Sequence, residues 1–127
     1  GVIDIVSSFH TPQDEESKRL PFEKAAAGAV GLETLLPASL QLFHNQSVSL
    51  GKLIRTMTLN PAILLNLPSG RITPGAPADL IIFDADTPFI LDRETLKSKS
   101  KNTPYDGQKL QGKVRRTIVS GKTIFEC

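Results

Sequence analysis

Apolar and polar positions change their period along this chain. It opens on Val2-Ile3-Asp4-Ile5-Val6, apolar at four of five positions. β-Branched side chains, stiff at χ1, suit an extended strand. Weak alternation reads as a strand covered on both faces, the kind found in parallel sheets flanked by helices. The next strand-like run, Leu80-Ile81-Ile82-Phe83, comes only after a long stretch of loop and helix. The pattern therefore predicts that the partners of the first strand lie elsewhere and that the chain is the C-terminal part of a larger protein. The alternative is a small α+β domain in which Val2–Val6 pairs with the later strands.

Residues 11–22 predict an exposed loop, with Pro12, a charged run Asp14-Glu15-Glu16-Ser17-Lys18-Arg19, and Pro21. Gly28 and Gly31 weaken any helix in the Ala-rich stretch before Leu32. Leu32, Leu35, Leu36, Leu40 and Phe43 follow a helical stripe that Pro37 should kink or restart. Ser49 is placed to cap a helix carrying Leu50, Leu53, Ile54 and Met57 on one face. Asn60-Pro61 predicts a new start, with Asn as cap and Pro first in a short helix over Ala62–Leu67.

After Gly70 the period becomes that of strands. Pro74-Gly75 predicts a type II turn, Leu80–Asp84 a strand, and Lys113–Val119 another led in by Leu110–Gly112. Ser120-Gly121 is a hairpin signal before a return strand at Lys122–Glu126. Residues 92–109 read as polar and mostly irregular.

Composition narrows the function. Fifteen Lys+Arg against thirteen Asp+Glu leave +2 over 127 residues, too little to imply nucleic-acid or membrane binding. Apolar runs are too short to span a bilayer. Cys127 alone cannot build a disulfide framework or a Cys-based zinc site. These features fit a soluble cytoplasmic protein. The basic clusters Lys97-Ser98-Lys99-Ser100-Lys101 and Arg115-Arg116 lack interleaved aromatics and read as solvated surface.

Candidate chemistry centres on two histidines. His10 follows the first strand, and the C-terminal end of a barrel strand faces an active-site mouth, so His10 is a candidate substrate contact; the plain alternative is an exposed loop histidine. His44, at a helix end, suits a structural bond to the last carbonyls. Phe9, not a carboxylate, precedes His10, and the sequence holds no H-x-H, H-E-x-x-H or G-x-S-x-G. Gly28-x-x-Gly31 is not a phosphate loop, because no Lys-Ser/Thr follows it.

Several stretches together resemble the C-terminal third of the dihydroorotases, the zinc-dependent cyclic amide hydrolases of pyrimidine biosynthesis. Val2 to Gln13, ending Ser7-Ser8-Phe9-His10-Thr11-Pro12-Gln13, resembles the last barrel strand and its loop, where the family has Asp-His-Ala-Pro-His. Gly28-Ala29-Val30-Gly31-Leu32-Glu33-Thr34-Leu35-Leu36-Pro37 is similar to the substrate loop and its helix. Gly70 to Leu80 resembles the amidohydrolase entry to the composite β-domain. Ser98-Lys99-Ser100-Lys101-Asn102-Thr103-Pro104-Tyr105-Asp106-Gly107, with Leu110-Gln111-Gly112-Lys113-Val114, resembles the Ser-x-x-x-Thr-Pro-Phe-x-Gly…Leu-x-Gly-x-Val segment.

The resemblance implies an α/β fold: the end of a TIM-type (β/α)8 barrel over residues 1–67, then part of the composite β-sandwich domain over 68–127. It implies a hydrolase interconverting N-carbamoyl-L-aspartate and L-dihydroorotate, with zinc held by the early barrel strands and no metal ligand in this chain. It places substrate contacts at Ala27, Gly28, His10 and Gln13. The departures are pointed. Phe9 stands where the family's Asp ligates metal and takes a proton from the attacking water, so no catalytic residue is retained and the chain alone is expected to be inactive. Gln13 replaces a His that holds the substrate carboxylate, and carries no charge. Either the parent is a divergent dihydroorotase, with Asp14 or another carboxylate serving, or it is a noncatalytic relative acting as structural partner of aspartate transcarbamoylase or of further copies of itself. The apolar faces of Val2–Val6 and Leu32–Phe43 are expected to be exposed in the isolated chain.

Overall fold

In the computed structural model, which describes residues 2–127, the second half of the chain forms an antiparallel sheet of three strands in chain order. These are β1 (Leu80–Ile90), β2 (Lys109–Val119) and β3 (Lys122–Glu126). Ser120 and Gly121 turn the β2–β3 hairpin with φ of 48° and 76°. Two positive φ values give the reversed turn whose twist matches the flanking strands. The Pro74-Gly75 turn also forms: Gly75 has φ 81°, and the Ala76 N–H donates to the Thr73 carbonyl at 3.1 Å.

β1 runs six residues beyond the predicted Leu80–Asp84. The Asp84 carboxylate accepts from the Asp86 and Thr87 N–H groups at 2.9 and 3.1 Å, and the register with β2 slips between Asp84 and Pro88. This bulge breaks the alternation and conceals the continuation. Pro88 is tolerated because β1 is an edge strand and needs no donor on its open side.

Four helices precede the sheet: α1 (Glu15–Arg19), α2 (Leu35–His44), α3 (Leu50–Met57) and α4 (Leu59–Leu64). α1 lies in the predicted loop. Asp14 caps it by accepting from the Ser17 N–H at 2.8 Å, and none of its residues is buried, so no apolar stripe announced it. α2 begins at Leu35 rather than Leu32, which puts Pro37 in the first turn, where the missing N–H costs nothing. Thr58, not Asn60, starts α4. Asn60 lies inside the helix, where its side chain donates to the Asp4 carbonyl at 2.6 Å and accepts from Arg55 Nε at 3.0 Å.

Val2–Val6 forms no strand. The three strands satisfy one another, and no ladder among the described residues includes the opening segment. A strand exists only as a pair. The segment lies instead against α3 and α4, with the Val6 N–H donating to the Thr56 carbonyl at 3.1 Å. The alternative of a self-contained α+β domain built on Val2–Val6 is thereby excluded.

Leu40 of α2 is wholly buried against β2 at Gly112, where an added Cβ would strike its Cδ1. A second buried cluster joins Val30 to Leu91, Leu96 and Leu110, with Phe89 and Tyr105 packed on it. This cluster ties the loop before α2 to the sheet. Val2, Ile3 and Leu32 are exposed, but the expected exposure of the whole Leu32–Phe43 face is not found: Leu40 is buried and Leu35, Leu36 and Phe43 are half-buried, because α2 packs on the sheet, and Ile5 and Val6 are half-buried as well.

Candidate functional site

Three loops meet beside the start of α2. The first, residues 7–13, carries Phe9, His10 and Gln13; the second, 27–31, carries Ala27 and Gly28; the third, 96–105, links β1 to β2. They border an open groove of about 710 Å³ whose walls include Ser7, Phe9, Gly28, Gly31, Thr34 and Tyr105.

The first two loops are cross-bonded. The Thr11 N–H donates to the Ala29 carbonyl at 3.0 Å, and the Gly31 N–H donates to His10 Nδ1 at 3.1 Å. Because Nδ1 accepts, neutral His10 carries its proton on Nε2 and is a hydrogen-bond donor there. Gly28 has φ 121°, and a Cβ on it would lie 2.5 Å from the Thr11 carbonyl oxygen. Only glycine allows this approach without displacement. The same holds for Gly31, whose Cβ would meet the Ser8 carbonyl at 2.7 Å.

The third loop locks the pair. Asn102 Nδ2 donates to the Gly28 carbonyl at 3.1 Å, and its Oδ1 accepts from the Gln13 N–H at 3.1 Å. The Asn102 carbonyl accepts from the Val30 N–H at 2.9 Å. Lys18 Nζ, reaching from α1, donates to the Ala26 and Gly28 carbonyls at 2.7 and 3.2 Å. Glu33 accepts from the Lys97 N–H at 2.7 Å. The Ala27 carbonyl and the Gly28 N–H have no hydrogen-bond partner among the described residues, and neither do the Ala27 and Ala29 N–H groups or the Val30 carbonyl.

The predicted contacts Ala27, Gly28, His10 and Gln13 lie in the two cross-bonded loops, but of the four only Gly28 lines the groove. Gln13 is held by its backbone N–H. Phe9 is 83% exposed and sits at φ 42°. That left-handed conformation is unfavourable for a bulky side chain and is more often taken by Asn or Asp. Asp14 is occupied as the cap of α1, and its N–H bond from Ser17 holds its carboxyl below the usual range. Glu15 and Glu16 pair with Arg19 at the surface, as a solvated charge run should. His44 is structural but does not bond the last carbonyls of its helix. Its Nε2 lies 3.0 Å from the Ala85 carbonyl, because the β1 bulge presents that group to the end of α2.

Asn102, Lys18 and Glu33 escaped the sequence reading as site residues. Their partners are backbone groups of distant loops, which leave no residue-type signature. The available signal for Asn102 was its place before Thr103-Pro104, inside a motif that had no role attached to it. The residues present do not fit a metal: no group of three or more His, Cys, Asp or Glu among the described residues is arranged to hold one. No helix among them is long and apolar enough to cross a membrane.

Comparison with known proteins gives a consistent result. A family model described as the amidohydrolase family matches residues 23–124. A dihydroorotase of Ehrlichia chaffeensis is 48% identical over all 127 residues, and one of Ehrlichia canis is 48% identical over 125. The chain spans 28% of the length of each of these relatives. Among solved structures, the dihydropyrimidinase of Brevibacillus agri superposes with a TM-score of 0.88 at 22% identity, over 97% of this chain and 28% of that one.

Proposed function

The chain belongs to the amidohydrolase family, and from that premise we propose that it supplies the substrate loop of a dihydroorotase, the cyclic amide hydrolase interconverting N-carbamoyl-L-aspartate and L-dihydroorotate. One observation carries this reading. The Ala27–Gly28 peptide group, which joins the Ala27 carbonyl to the Gly28 N–H, is unpaired, while the carbonyls of Gly28 and Ala29 and the N–H groups of Val30 and Gly31 around it are held by Asn102, Lys18, Thr11 and His10. Its C=O and N–H point opposite ways across a trans peptide, so whichever end faces the groove offers one hydrogen bond to the N–H or C=O of a cyclic amide. This contact needs no particular side chain, so it survives sequence divergence.

His10 adds an Nε2–H donor beside this loop, and Gln13 a neutral amide in place of a charged contact. In this reading residues 1–67 close a barrel and 68–127 belong to the composite β-domain. The setting is cytoplasmic, in keeping with a chain whose single cysteine is exposed and unpaired. The zinc that the family resemblance implies finds no ligand set here, so this chain's part is to bind and orient substrate.

Phe9 favours a second reading, a noncatalytic relative that serves as a structural partner of aspartate transcarbamoylase or of its own copies. Phenylalanine neither accepts a proton nor binds a metal. One experiment separates the two: dihydroorotate hydrolysis and bound zinc are measured on the full-length protein and on Phe9→Asp. Activity in the zinc-loaded wild type removes the noncatalytic reading. A dead wild type revived by Phe9→Asp establishes position 9 as the place of the missing acid. Inactivity of both toward dihydroorotate overturns the substrate assignment.

A further inference from the structure

We infer that Asn102 is a positioning residue for the substrate loop: its side-chain amide holds the Gly28 carbonyl and so sets the backbone conformation at Gly28 that orients the unpaired Ala27–Gly28 peptide toward a ligand. The inference rests on the reading of residues 27–28 as the substrate-binding peptide. It adds to that reading a residue that touches no substrate and belongs to the opposite half of the chain.

The geometry is specific to an amide. Asn102 Nδ2 donates to Gly28 O and Oδ1 accepts from Gln13 N, each at 3.1 Å. A carbonyl can only accept and an N–H can only donate, so the two partners also fix which way the amide faces. No other side chain of this length presents a donor and an acceptor side by side. The Asn102 main chain contributes a third bond, from Val30 N–H at 2.9 Å, and Val30 is anchored in the buried cluster with Leu96 and Leu110. Asn102 is therefore itself held, and transmits the rigidity of the sheet side to the loop.

The Gly28 peptide is where this matters most. With φ of 121° it lies in a region open essentially to glycine, so local sterics do not choose its orientation. The bond to the Gly28 carbonyl does. Lys18 Nζ also reaches this carbonyl, but at 3.2 Å from an exposed and flexible side chain. Asn102 is the partly buried donor of the two.

Asn102→Asp provides a nearly isosteric dissection. The carboxylate still accepts from Gln13 N–H, loses the donor to Gly28, and sets a negative charge against that carbonyl. In the full-length protein, Asn102→Asp and Asn102→Ala should each raise KM for dihydroorotate about five- to tenfold while kcat changes less than about twofold, as when one hydrogen bond's worth of ground-state order is lost. Amide hydrogen exchange should accelerate over residues 27–31 in both variants, and at Gln13 only in Asn102→Ala. Unchanged KM with unchanged exchange over 27–31 overturns the inference. So does a lowered melting temperature with KM intact, which marks a merely structural residue. If the wild type does not hydrolyse dihydroorotate at all, the function assignment fails. The exchange pattern then decides the role of Asn102 by itself: acceleration over 27–31 in Asn102→Asp upholds it, and no change refutes it.

Discussion

Asn102 and Gly28 are 74 residues apart in the chain and 3.1 Å apart in space, joined by a bond from the Asn102 amide to the Gly28 carbonyl. Each lies in one of two segments whose resemblance to dihydroorotases is most specific, residues 28–37 and 98–107. The fold brings those segments together. Asn102–Gly28, Glu33–Lys97 and the packing of Val30 on Leu96 form one continuous seam between them.

Gly28 should tolerate no side chain. In Gly28→Ala the new Cβ would lie 2.5 Å from Thr11 O and 2.8 Å from Thr11 Cβ, at a φ of 121°. The Thr11–Ala29 bond must open or the loop must rotate. Strain of this kind costs about 1–3 kcal/mol. Chemical denaturation of the full-length protein should show that loss, and substrate binding should weaken with it.

Phe9 should be replaceable by Asp without loss of stability. The ring is 83% exposed and buries little, while its backbone is left-handed at φ 42°. A short polar residue relieves part of a penalty of about 1–2 kcal/mol for that conformation. Thermal melting of Phe9→Asp at or above the wild-type temperature is expected; a large drop would show that the ring is packed in solution.

Leu40 and Gly112 should couple. Leu40→Ala empties a fully buried site and costs about 2–5 kcal/mol. Gly112→Ala drives a Cβ into Leu40 Cδ1 and costs about 1–3 kcal/mol. Because Leu40→Ala removes the atom that the Gly112→Ala methyl would strike, the double variant should be more stable than the sum of the singles predicts, by about 0.5–3 kcal/mol. A double-mutant cycle measures this; additivity would show that the two residues do not meet.

Asp84 should give the sheet an acid-sensitive step. The Thr87 hydroxyl, at 2.7 Å, is the main cause that holds its carboxyl down at about 2, from an ordinary 3.8, with the Asp86 and Thr87 N–H groups and Arg115 adding to it. The folded state therefore favours the ionised form. The resulting stability is present in full above pH 3.8 and is lost as pH falls toward about 2. Asp84→Asn should flatten that part of the stability profile and lower stability at neutral pH. An unchanged acid profile would refute the role given to Asp84.

Local and tertiary information divide cleanly in this chain. The amino-acid order by itself determined what depends on near neighbours: the Pro74-Gly75 turn, the Ser120-Gly121 hairpin, the amphipathic course of α2 and α3, and the motifs that place the chain among amidohydrolases. Their causes are backbone sterics and the burial of one apolar face, both written in adjacent residues. Tertiary structure decided the rest. Val2–Val6 has the composition of a strand, but a strand requires a hydrogen-bonded neighbour, and here the three true strands pair with one another. The continuation of β1 depends on how one carboxylate bulges the ladder, and the start of α4 on where Asn60 finds partners. The grip of Asn102 on Gly28 was invisible for the same reason. A side chain that bonds a distant backbone carbonyl constrains only the place where that carbonyl stands, and only the folded chain specifies the place.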